Sequence, residues 1–265
     1  MDQSLEPFNA AVVILQESIK YLPKNRNLIA LTILPSLLLS SIFFLIFNFF
    51  YRGHSSVPFG ILLFVYITSI LAFNSISLFS IIATILLSSI SYTERKLSNK
   101  GFLLLVLNSS KRPFIWISFA LAVVCPFLLF LGDYLTFAAD LPQQGILFFW
   151  VLYYFSSIVW DLGIVISVIE EDFLGMEALK KAGKLIKGKM VQGYILNFIF
   201  VVLPVVLSIQ GFRIIRDHKW LLNETIFVLF LVNFSCLLRF LHFVAYTVLY
   251  FQCKKNHGEE IEFLG

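Results

Sequence analysis

Charge is what this 265-residue sequence has least of: Asp, Glu, Lys and Arg together make up 14% of it, against about 25% in a soluble domain. That shortage excludes a globule dissolved in water. Cysteine is scarcer still. Cys125, Cys236 and Cys253 sit in apolar stretches or at the end of one, which excludes a disulfide-built secreted scaffold. The histidines are dispersed: His54, His218, His242 and His257 show neither the spacing of a metal box nor a H-E-x-x-H pair. No glycine-rich phosphate loop precedes a helix, and no G-x-S-x-G elbow is present. Asp133 and Asp140 read as exposed loop charges rather than an acid–base pair. No enzyme activity, catalytic residue, cofactor or metal is therefore expected. The net charge of +4 reflects how a membrane chain orients itself, not a nucleic-acid partner.

Hydrocarbon is plentiful. Hydrophobic residues reach 59%, with 30 Phe, and mean hydropathy is +0.88. A bilayer core about 30 Å thick takes roughly 20 apolar residues at 1.5 Å rise each. Six stretches approach that length, at about 28–50, 60–90, 113–132, 146–169, 193–209 and 226–252. The expected fold is all-α, a polytopic membrane bundle of six transmembrane helices with interfacial amphipathic helices on the cytosolic side.

The second stretch decides the count. From Pro58 to Tyr92 there is no charge, and so long a helix would rise about 52 Å. Two spans with a turn would need more than about 40 residues. The middle of the stretch offers only Asn74 and Ser75, without Gly, Pro or a charged cluster. One tilted helix projecting past the membrane surface is the expectation.

Charge placement supports that parity. With both termini cytosolic, the inner side holds Lys20, Lys24 and Arg26, then Arg95, Lys96, Lys100, Lys111 and Arg112. It also holds Lys180, Lys181, Lys184, Lys187 and Lys189, then Lys254 and Lys255. The outer side holds only Arg52, Arg213, Arg216 and Lys219. The positive-inside rule favours this orientation. The first apolar run, from Leu28, is expected to act as a signal anchor that inserts at the endoplasmic reticulum in a eukaryotic host.

Two segments read as helices lying in the membrane surface. Over 5–22, Phe8, Val12, Leu15, Ile19 and Leu22 recur at helical intervals, and Pro23 follows. Over 173–187, Gly175, Ala178, Leu179, Ala182, Leu185 and Ile186 form a stripe, and Gly188 is the expected C-cap. Lys180, Lys181, Lys184, Lys187 and Lys189 accompany it as candidate contacts with anionic lipid headgroups. Gly101–Leu107 repeats the theme more weakly. Each pair of spans also begins with a proline-bearing helix, at Pro35, Pro126 and Pro204. A weak threefold repeat and ordinary basic loops explain this equally well.

Ionisable residues within spans are the natural candidates for function, since each costs at least about 2.5–3.5 kcal/mol at mid-span unless paired. Asp161, Arg239 and His242 qualify. Counting helical rise from the inner ends brings Asp161 to comparable depth with both others, so an Asp161–Arg239 or Asp161–His242 contact is expected. Asn74, Ser75, Ser77, Asn197, Asn233 and Ser235 could extend such a cluster. As a pathway it would serve a small-solute or ion transporter; as a structural pair it would only join helices.

The run from Trp160-Asp161-Leu162-Gly163 to Glu170-Glu171 leads into Gly175-Met176-Glu177-Ala178-Leu179 and Leu185-Ile186-Lys187-Gly188. With the tail Val248-Leu249-Tyr250-Phe251-Gln252-Cys253-Lys254-Lys255-Asn256-His257, it resembles a plant family of uncharacterised polytopic membrane proteins. More distantly, it is similar to the membrane-embedded domain found beside some bacterial glycerophosphodiesterases. The resemblance implies six helices and an endomembrane or plasma-membrane address. It implies no reaction, because the soluble phosphodiesterase domain is absent from this sequence. The leading expectation is a non-enzymatic scaffold or accessory factor; transport is the runner-up.

Overall fold

A computed structural model describes residues 6–21, 26–52, 59–94, 97–110, 143–170, 172–204, 206 and 221–259. Among these, every regular element is helical. The order is α1 (Glu6–Tyr21), α2 (Arg26–Arg52), α3 (Phe59–Tyr92) and α4 (99–110), then α5 (Gln143–Ile169), α6 (Met176–Leu185), α7 (Met190–Asn197) and α8 (Leu221–Asn256). Helix α7 continues as a π-helical turn over Phe198–Val202.

Helix α3 runs unbroken for 34 residues, about 51 Å, as a stretch without a breaker should. Beyond it, Glu94 adopts a positive φ of 57° and turns the chain. Helix α4 begins at Ser98, whose hydroxyl accepts a hydrogen bond from the Gly101 amide at 3.2 Å, an N-cap. Helices α6 and α7 meet at a bend of 110°. Gly188, at φ +95°, makes that turn, in a region where a Cβ would be strained. The π turn has a local cause two residues further on. The Pro204 ring would clash with the carbonyl four residues back, at Phe200, and Pro204 has no amide to offer it. Widening the turn relieves that crowding, and the Leu203 amide bonds to the Phe198 carbonyl.

Among the described residues, three helices are long and apolar enough to cross a membrane: Asn27–Ile46, Ser75–Tyr92 and Thr225–Asn256. The bent pair α6–α7 makes a fourth if counted as one span. Six crossings thus exceed what the described helices establish. The stretch expected at 113–132 and Pro126 lie outside the described residues, as does most of 193–209 beyond Pro204.

The core gathers at one end of the bundle. Every residue from Ile81 to Ser91 of α3 is buried, as is every residue from His242 to Phe251 of α8. The Tyr92 and Phe251 rings stack there at 4.5 Å. Helices α3, α5 and α8 run toward this end, and α2 and α7 run away from it. Helix α6 folds back onto α5 through Ala178, Ala182 and Leu185. Glycine at position 163 leaves room for Leu179: a Cβ there would lie 2.9 Å from Leu179 Cδ2, so that side chain would have to shift. Toward the other end, Leu34, Leu38, Ile42 and Leu45 of α2, and Ile226 and Phe230 of α8, stand exposed. A continuous outward apolar surface of this kind suits lipid, not water.

Helix α1 carries two apolar faces. Ala11 and Ile14, with Ser18, are buried against α7 and α8. Of the stripe read from the sequence, Phe8 and Ile19 are exposed and Val12 and Leu15 half-buried. The stripe therefore flanks the contact with the bundle and leaves an apolar face free.

Candidate functional site

Helix α8 presents His242, Tyr246, Tyr250 and Lys254 at successive intervals of four, so all fall on one face. That face meets α5, α7 and the start of the segment after α5. Each member finds a polar partner, forming a ladder from the middle of the helix to the core end.

At the top, His242 Nε2 donates to Asp161 Oδ2 at 3.0 Å. The imidazole stacks on the Tyr246 ring at 4.6 Å and meets the Phe200 edge at 5.5 Å. The π turn thus contributes one wall of the histidine site. Arg239, the third residue of the expected cluster, is not part of this pair. It is exposed and forms no ion pair among the described residues. The rotation of α8 explains the difference: turning His242 inward leaves Arg239, three residues earlier, at the edge of the contact face.

One turn along, Asn197 is fully buried and serves three neighbours. The Tyr246 hydroxyl donates to Asn197 Oδ1 at 2.7 Å. Asn197 Nδ2 donates to Ser157 Oγ at 2.5 Å and, at 3.4 Å, to the Tyr154 carbonyl. Tyr154 in turn donates to the Tyr194 carbonyl at 2.6 Å. Close approach of α5 and α7 is possible because position 193 is glycine, where a Cβ would lie 2.9 Å from Ile158 Cγ2.

The ladder ends on Glu170, just past α5. Its Oε2 accepts from Lys181 Nζ at 2.6 Å; its Oε1 accepts from the Tyr250 hydroxyl and from Lys254 Nζ at 3.5 Å. Burial alone would raise the Glu170 carboxyl. The hydrogen bonds from Lys181 and Tyr250 and the charges of Lys181 and Lys254 outweigh it, and the carboxyl lies below its ordinary value. Lys181 also sits over the Phe173 ring at 4.3 Å and lies 3.4 Å from Glu259 Oε2. Beside this hub, Lys189 Nζ donates to Gln252 Oε1 at 3.0 Å, and Gln252 Nε2 donates to Glu17 Oε2 at 2.9 Å. Helices α1, α6, α7 and α8 are thereby joined by side chains as well as by apolar contact.

The five lysines expected at the lipid surface divide accordingly. Lys180, Lys184 and Lys187 are exposed. Lys181 and Lys189 turn inward to Glu170 and Gln252, a correction that amphipathic spacing alone could not supply. The ladder itself left one signal in the sequence, the four-residue recurrence of His242, Tyr246, Tyr250 and Lys254.

Elsewhere, Asn233 and Ser41 exchange hydrogen bonds at 3.1 and 3.0 Å between α8 and α2. A groove of about 440 Å³ lies between α2, α3 and α4. Its walls include Leu31, Leu39, Phe79 and Phe102, and its Thr32 and Ser36 hydroxyls are bonded to their own helix. Among the described residues, no group of three or more His, Cys, Asp or Glu side chains could hold a metal ion. Cys236 and Cys253 are free thiols.

Residues 53–264 match the family described as a domain of unknown function, DUF8558, and the chain belongs to it. No curated protein and no solved structure matches the chain.

Proposed function

We propose that this member of the DUF8558 family is a non-enzymatic integral membrane protein of an endomembrane or the plasma membrane, a scaffold or accessory factor working from its basic end. The ladder carries this reading. Its side chains satisfy one another and clamp the amphipathic helices onto the bundle, so the site is built to hold a surface in place. Lys180, Lys184 and Lys187 remain outward on that surface. Each could contribute about 1 kcal/mol against anionic headgroups. The 110° bend suits one arm lying in the headgroup plane while the next crosses the membrane.

The full arrangement in this reading is six spans with both termini in the cytosol. Helix α4 packs at the core end, whereas α5 starts at the opposite end; α7 starts at the core end, whereas α8 starts opposite. Each interval supports one further crossing. The endomembrane or plasma-membrane address, like the plant-family resemblance that implies it, is part of this proposal.

The test is affinity purification from native membranes, comparing wild type with a variant in which Lys180, Lys184 and Lys187 are all Gln. The reading expects a stoichiometric protein partner together with anionic lipid, and weaker lipid retention in the variant. Recovery of neither, alongside solute-dependent flux in vesicles, would favour the second reading, a small-solute or ion transporter. The specific observation behind that alternative is the Asp161–His242 pair at mid-depth, from which the ladder descends to Glu170.

A further inference from the structure

Arg239 stands at the middle of the last helix, at the edge of its contact face, and is open to the surroundings. Counting rise along α8, it lies about 20 Å from either end of the Ile226–Gln252 stretch, farther than its side chain can reach to a headgroup. It is exposed, with no polar partner among the described residues. Ser235, one turn before it on the same face, is also exposed, and its hydroxyl bonds back to the Leu231 carbonyl. An arginine held at this depth against lipid is costly, and such residues ordinarily pair with an acidic group or face a water-filled cavity.

We infer that the Ser235–Arg239 face of α8 is an intramembrane docking site for a transmembrane helix of another protein carrying an Asp or Glu at mid-depth. Charge complementarity selects the occupant. A second copy of this chain offers no suitable partner, because Asp161 is the one acidic residue within the stretches read as spans and it already bonds to His242. An anionic lipid headgroup lies out of reach. Ser235 is small enough to let a helix backbone approach beside the guanidinium. The inference rests on the membrane placement of α8 in the scaffold reading. It does not involve Lys180, Lys184 or Lys187, so the two readings fail separately.

The test reconstitutes the full-length, acceptor-labelled protein in phosphatidylcholine vesicles with a donor-labelled Leu/Ala host helix bearing a central Asp, or Leu in its place. Energy transfer should report association about fivefold tighter for the Asp helix, lost in Arg239→Leu and kept in Arg239→Lys. Because the side chain is exposed, both variants should fold, which a matching elution volume and thermal midpoint would show. Equal association of the two host helices, or a preference that survives Arg239→Leu, would overturn the proposal. So would self-association of the protein that depends on Arg239. A second arm labels Arg239→Cys with a membrane-impermeant thiol reagent against wild-type background. Protection is expected, and ready labelling would show a water-filled face instead.

Discussion

Replacing Glu170 by Gln probes the ladder at its most connected point. The substitution keeps shape and an acceptor for the Tyr250 hydroxyl but removes the charge that Lys181 and Lys254 face. Removing one partner of a buried ion pair costs about 3–5 kcal/mol. Here the side chains of Glu170, Lys181 and Lys254 are 11%, 18% and 7% exposed, so solvent screens part of that. Lys181 also keeps Glu259 at 3.4 Å. The expected loss is roughly 2–3 kcal/mol, read as a lower thermal midpoint of the detergent-solubilised protein. Lys180→Gln, on the exposed face of the same helix, should stay within about 0.5 kcal/mol of wild type. The sign with pH follows from the depressed carboxyl. Its contribution is complete above the ordinary value near 4.5 and is lost as pH falls through the lower folded value. Glu170→Gln should lack that acid-side component. Equal midpoints for Glu170→Gln and Lys180→Gln, or the same acid-side loss in both proteins, would refute the clamp.

Two further outcomes follow from the same geometry. Asp161→Asn and His242→Gln should be non-additive in a double-mutant cycle, with a coupling of about 1 kcal/mol, whereas Asp161→Asn and Arg239→Gln should add; thermal or SDS unfolding reads both. Gly188→Val should lower stability by roughly 1–2 kcal/mol because of its positive φ, with Gly183→Ala, where a Cβ meets nothing within 4 Å, as the neutral control.

What could be read from the sequence was whatever a single segment determines. Helix α3 was legible because nothing between Pro58 and Tyr92 breaks it. Helix α1 was placed within a residue at each end, because Pro23 stops it and apolar positions recur at helical spacing. Gly188 reads from the sequence as the C-cap of the basic helix, whereas that helix ends at Leu185 with Ile186 as its cap, and Gly188 makes the 110° bend that follows. Rotation and partnership were beyond reach. Nothing in the spacing of five lysines tells which two face inward, since that depends on Glu170 and Gln252, supplied by other segments. Depth counting could place Arg239 and His242 equally well beside Asp161, because rise along a helix axis does not report azimuth. On α1, only the Phe8 and Ile19 members of the regular stripe stand free, while Ala11, Ile14 and Ser18, which lie off the stripe, make the contact.

A scaffold of this kind requires its basic segments to share one side of a membrane. Epitope tags at each terminus and beside His218, tested one at a time for protease protection in sealed native vesicles, examine this most directly. Both terminal tags should be digested from the cytosolic side while the tag near His218 stays protected until the membrane is opened. Termini that report opposite sides would contradict the account.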